Sequence, residues 1–204
     1  MSSQLTAVRR RASALPPEER RAAIFEATLP LLVAHGEMVT TRQIAEAAGI
    51  AEGTIFRAFA DKDELIGAVV ETALDTANLE AQLATVDRSL PFDEVLVAAV
   101  AILQQRVVGV WRLLSSIGPR FHDPTRKPVI ELRALVDLFD DKRAKLRADA
   151  RTAARQLRAL TLAATHPMMV SESMTPSEIV ELFLYGVSKA RPRTPSTDGG
   201  QAQC

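Results

Sequence analysis

Apolar residues recur at three- and four-residue intervals along most of this chain, punctuated by Gly, Pro and short polar turns. The pattern predicts an all-α protein of about nine helices. The first spans about Glu18 to His35 behind Pro16-Pro17, with Ile24, Phe25, Thr28, Leu31 and Leu32 inward. Pro30 removes one of its hydrogen bonds, His35 suits its C-terminal dipole and Gly36 ends it. Thr40 caps a second helix with Gln43 three residues on, a capping box that satisfies two backbone donors. Ile44, Ala45 and Ala48 give this helix a narrow apolar face, Gly49 closes it at positive φ, and Ile50 plugs the corner. Glu52 to Phe59 forms a third helix, with Ile55, Phe56 and Phe59 expected inward and Gly53, Thr54, Arg57 and Ala58 on the opposite side. Two short helices about a tight glycine turn are the pattern of a helix-turn-helix.

Beyond it, Asp61 and Glu64 cap a fourth helix running to about Leu83, and Thr85 to Leu90 make a polar break. A fifth helix spans about Pro91 to Val108, and a short sixth holds Trp111, Leu113 and Leu114. The seventh is expected from about Pro128 to Asp149 and the eighth from Arg151 to Thr165, stopped by Pro167. Thr175, Pro176 and Glu178 start the ninth. These divisions give four segments: a basic arm at 1–15 carrying Arg9-Arg10-Arg11, an N-terminal three-helix domain at 16–62, a C-terminal helical domain at 63–190, and a Pro/Gly/Ser-rich tail at 191–204 expected to be disordered.

The 204 residues are 47% hydrophobic but only 4% aromatic, so the core must be mainly Ala, Leu and Val. No run is expected to reach the roughly 20 apolar residues of a membrane span, and the N-terminus has no apolar region behind its charges, so a cytoplasmic protein is the economical expectation. The single cysteine, Cys204, forms no internal disulfide or metal cluster. Net charge is zero, and residues 1–70 hold eight Arg/Lys against nine Asp/Glu. Any affinity for a polyanion therefore depends on where the cations sit rather than on bulk charge. His35, His122 and His166 lie far apart with no metal-ligand spacing, and no Gly-rich phosphate loop occurs, so no enzyme activity, metal or cofactor is expected.

The segment TTRQIAEAAGIAEGTIFRAFADKDELI, within Ile24 to Val69, resembles the DNA-binding segment of tetracycline-repressor-type (TetR) transcriptional regulators. The likeness rests on several features in register: threonines before the second helix, AAG at the turn, G-T-I-F-R in the third helix, and F-x-D-K-x-E-L entering the fourth. The chain departs from the family pattern where Ala51 replaces a capping Ser or Thr, where Phe56 replaces a common Tyr, and where Ala58 replaces Tyr or His.

The resemblance implies a homodimer on palindromic double-stranded operator DNA, with Thr40, Thr41, Arg42 and Lys62 on phosphates. Gly53 would allow close backbone approach, Thr54 would touch a base edge or thymine methyl, and Arg57 would contact base or phosphate. Glu52 complements the helix dipole or accepts from a cytosine amino group. By the same resemblance the last two long helices form the dimer interface through Leu157, Leu160, Thr161, Ala164, Ile179, Phe183 and Val187. A small lipophilic effector would bind near Gln104, Arg106, Trp111, Leu114, Phe121 and Phe139 and release the DNA. The alternative is a helical small-molecule carrier or interaction protein without DNA binding.

Overall fold

The computed structural model describes residues 16–118, 121, 131–140 and 146–186, and among these every regular element is helical. The expected arm with Arg9–Arg11, His122, Val187 and the tail with Cys204 lie outside the described residues. Nine α-helices are present among the described residues: α1 (Pro17–His35), α2 (Thr41–Ala47), α3 (Glu52–Ala58), α4 (Lys62–Leu74), α5 (Ala77–Ala84), α6 (Phe92–Ser116), α7 (Arg133–Asp140), α8 (Ala150–Thr165) and α9 (Pro176–Tyr185). A 3₁₀ turn at Gly36–Met38 joins α1 to α2.

Three expected boundaries are corrected. The fourth helix ends at Leu74, not near Leu83: Asp75 is extended, and α5 begins two residues on. Asp and Thr compete with the helical ladder through their own side chains, and Asp75-Thr76 places two such residues together. The expected fifth and sixth helices are one, because Gly109 continues through α6 with no proline or cap to stop it. Joined in this way, α6 has the length and composition of a membrane span, contrary to the reading of its two halves. Its apolar positions nevertheless feed both cores: Val95, Leu96, Ala99, Val100 and Leu103 in one, Leu113 in the other. The seventh helix starts at Arg133 rather than Pro128, and residues 146–149 before α8 are not helical. The Glu80 carboxylate on α5 accepts the Arg133 and Ala134 N–H groups, both at 2.8 Å, and so caps α7 from outside.

The chain forms two compact units. One comprises residues up to Thr76 together with Val108 to Pro128, and its core gathers Ile24, Leu32, Ile44, Ile55, Phe59, Leu65, Ile66, Val69, Val70 and Leu113. The other comprises Ala77 to Val107 and the residues from Val129 onward. Its core centres on Phe139, whose ring lies edge-on to Phe92 at 5.8 Å and to Phe183 at 6.0 Å. Phe139, expected at the effector site, is fully buried in this core.

The buried polar residues among those described are threonines. Thr28 donates to the Ile24 carbonyl at 2.6 Å and Thr161 to the Leu157 carbonyl at 2.8 Å, while the Thr165 hydroxyl lies 3.0 Å from the donating Gln104 amide. Gln104 also donates to the Met174 carbonyl at 2.8 Å, so this expected ligand contact is a strut between α6 and the α8–α9 connection.

At two helix starts the capping group includes a carboxylate held low. Backbone and hydroxyl donation from Thr152 holds Asp149 below the usual carboxylate range, and Thr175 does the same for Glu178 within a complete capping box. A depressed carboxylate contributes stability that is present above its unfolded pKa and lost as pH falls through its folded value, so these caps loosen only in acid.

Candidate nucleic-acid interface

The turn between α2 and α3 is built by a Schellman closure. Ile50 N–H donates to the Ala45 carbonyl at 3.0 Å and Gly49 N–H to the Glu46 carbonyl at 3.2 Å, with Gly49 at φ +65°. The conformation disfavours a side chain at Gly49, and it turns the chain sharply enough for Ile44 and Ile55 to share one core. At the start of α2, Thr40 and Gln43 form the expected capping box.

The third helix is short and has no capping side chain of its own at Ala51. It is held instead from its neighbours. Near its start the Thr41 hydroxyl donates to a Glu52 carboxylate oxygen. At its end Arg21, on α1, donates to the Ala58 carbonyl at 3.2 Å while its guanidinium lies 4.5 Å from the centre of the Phe59 ring. Arg21 was invisible to sequence reasoning because its partners stand nearly forty residues away. A basic residue one turn before the first buried position, Ile24, is the only signal available.

Outward from this frame, α3 presents Glu52, Gly53, Phe56 and Arg57, whereas Thr54 and Ala58 are half-buried. Phe56 was expected in the core, but it is 49% exposed. Ile55 and Phe59, four apart, already fill the inward face, and Phe56 lies one residue round the helix from Ile55. At Gly53 an added Cβ would meet no atom within 4 Å, so the backbone at the first turn of α3 is open to close approach.

The residues expected on phosphates are engaged within the protein. Thr40 belongs to its capping box, and Thr41 binds Glu52. Arg42 pairs with Glu46 at 3.0 Å on an exposed surface, a contact weak enough to exchange for a phosphate. The Lys62 ammonium is half-buried and donates to the carbonyls of Glu37 at 2.8 Å and Val39 at 3.3 Å, which staples α4 to the α1–α2 corner.

Residues 24–69, which hold this arrangement, match the family model described as bacterial regulatory proteins, tetR family. The match makes this segment, residues 24–69, TetR-type. Outside the matched segment the similarity is looser. Among the curated relatives, the HTH-type transcriptional repressor Rv3405c of Mycobacterium tuberculosis is 35% identical over 116 residues, covering 51% of this chain and 62% of that protein. The chain thus spans less than two thirds of the length of the curated relatives it matches. Among solved structures, a TetR-family transcriptional regulator from Mesorhizobium loti is similar with a TM-score of 0.56 and 17% identity, over 84% of this chain and 98% of that one. The TetR-like regulator LfrR of Mycobacterium smegmatis, solved in complex with proflavine, gives a TM-score of 0.51 at 20% identity, over 86% and 100%. At such identities these structures establish the TetR fold.

The residues expected at the effector site fall in both units. Gln104, Arg106 and Phe139 belong to the second unit, and Trp111, Leu114 and Phe121 to the first. Of the expected dimer residues, Leu157, Thr161, Ala164 and Ile179 are closed inside their own unit, and Leu160 and Phe183 are half-buried against the same core. The reason is the phase of the helices. The apolar stripe of each is spent on intramolecular packing, which leaves Leu162 and Tyr185 exposed at 45% and 74%.

Proposed function

We propose that this chain is a transcriptional regulator, acting as a repressor, which binds palindromic operator DNA as a homodimer and is released by a small lipophilic effector. The observation that carries the reading is the outward face of α3, held at both ends by Thr41 and Arg21 within a TetR-type helix-turn-helix. A helix supported in this way presents side chains to the major groove without having to order them on binding. Arg57 is the exposed cation of this face, Gly53 admits the DNA backbone, and Arg42 exchanges Glu46 for a phosphate. In this reading residues 16–62 are the reading head, 63–190 the regulatory body, and the protein works in the cytoplasm with no membrane partner and no enzymatic step. Trp111, Leu114 and Phe121 are the residues proposed to sense the effector.

A gel shift with operator-sized duplexes tests it. Arg57→Ala is expected to weaken specific binding by about 1–3 kcal/mol if Arg57 reads a base, whereas a loss uniform across sequences would put it on phosphate. Failure of the wild-type protein to shift any duplex would leave the carrier reading in its place.

For the dimer, the exposed faces of the last two helices are complementary in charge. Arg151, Arg155 and the half-buried Arg158 line α8 beside Leu162, and Glu178 and Glu181 line α9 beside Tyr185. A twofold axis would set the basic face of each copy against the acidic face of the other. Sedimentation is expected to give a dimer at micromolar concentration, and the pair Leu162→Asp with Tyr185→Asp a folded monomer. A wild-type monomer would discard the interface.

A further inference from the structure

Glu52 and Phe56 stand four residues apart on the outward face of α3, hence one above the other along one helical turn. Both are unusual groups to offer to DNA. A carboxylate is repelled by phosphate, and an exposed phenyl ring gains nothing from water. Their placement is nonetheless fixed. The Thr41 hydroxyl holds one Glu52 carboxylate oxygen, and Ile55 and Phe59 occupy the inward positions that Phe56 would otherwise take.

The geometry points to a two-part base code: Glu52 selects a cytosine and Phe56 a thymine close beside it in each operator half-site. This deepens the DNA-binding reading and rests on it. The major-groove edge of cytosine offers an amino donor with only a C–H beside it, which suits a carboxylate oxygen. Adenine also offers an amino group, but its N7 acceptor adjoins the donor and repels the second carboxylate oxygen. Guanine, with two acceptors at O6 and N7, repels Glu52 outright. Thymine alone carries a methyl group in the groove, and a phenyl ring covers it without a lost hydrogen bond. Residues one turn apart are separated by about 6 Å along the helix, which places the two contacts within about two base steps of 3.4 Å. Thr41 is then a positioning residue, which acts by orienting Glu52 rather than by touching phosphate.

Selection of randomised duplexes by the full-length wild-type protein, Glu52→Gln and Phe56→Ala tests the code. The wild type is expected to enrich a half-site with C and T within two base pairs. Glu52→Gln, which offers adenine both a donor and an acceptor, is expected to shift preference from C to A at that one position by about tenfold or more. Replacing the thymine by deoxyuridine removes only the methyl group. The replacement is expected to weaken wild-type binding several-fold and leave Phe56→Ala indifferent. Both side chains are exposed, and a glutamine amide oxygen still accepts from Thr41, so coincident thermal melts are expected for all three proteins. If all three enrich the same sequence, or if deoxyuridine is without effect on the wild type, the code is wrong while sequence-specific binding stands. If the wild type enriches nothing, DNA recognition itself falls, and the code with it.

Discussion

Gly36→Ala is expected to destabilise the protein by about 4 kcal/mol, from backbone strain and overpacking together. Gly36 sits at φ +57° and ψ −144°, a conformation that glycine adopts and residues with a side chain avoid. Space compounds the difficulty. A Cβ built there would lie 2.2 Å from the Ser116 carbonyl oxygen, and that atom is backbone at the end of α6, unable to rotate away. The neighbouring contacts leave little slack, since Glu37 accepts the Gly118 N–H and Lys62 draws the carbonyls of Glu37 and Val39 together. Urea denaturation of the variant against wild type measures the effect. A loss below about 1 kcal/mol would mean that the α1–α2 corner shifts freely off α6.

Phe139→Ala should cost about as much, roughly 3–5 kcal/mol, through a different cause. The ring is fully buried and meets two other aromatic rings edge-on, so truncation leaves a cavity and removes both contacts. Phe139→Leu should recover much of the loss, because it refills most of the volume. If Phe139→Ala melts with the wild type, the ring does not centre the second core.

What the sequence made legible was local chemistry. The capping boxes at Thr40–Gln43 and Thr175–Glu178, and the glycine at the α2–α3 turn, form where they were expected because their partners lie within five residues. Periodicity failed where two helices share a phase. The apolar spacing runs on from Val70 through Leu74 to Leu83, and the break falls at Asp75-Thr76, two residue types that compete with the helical ladder. It failed in the opposite sense at Gly109, whose modest helical cost is outweighed by packing on either side.

Phe56 was misplaced for a simpler reason. In a seven-residue helix, counting any large apolar side chain as core leaves the face undetermined, and the Ile55–Phe59 pair settles it. Arg21 and Lys62 depend on partners 37 and 25 residues away, and no pattern in the chain announces them.

The threonine hydroxyls that make up the buried polar complement have a practical corollary. Neither hydrophobic interior contains an ionisable group among the described residues. Ionic strength therefore has little purchase on the folded body, while attraction to phosphates varies steeply with it. A titration from dilute to concentrated potassium chloride should accordingly dissect the proposed operator affinity into its counterion-release and base-reading parts with no correction for unfolding, once sedimentation at each salt has fixed the share of dimer, whose proposed faces are charged.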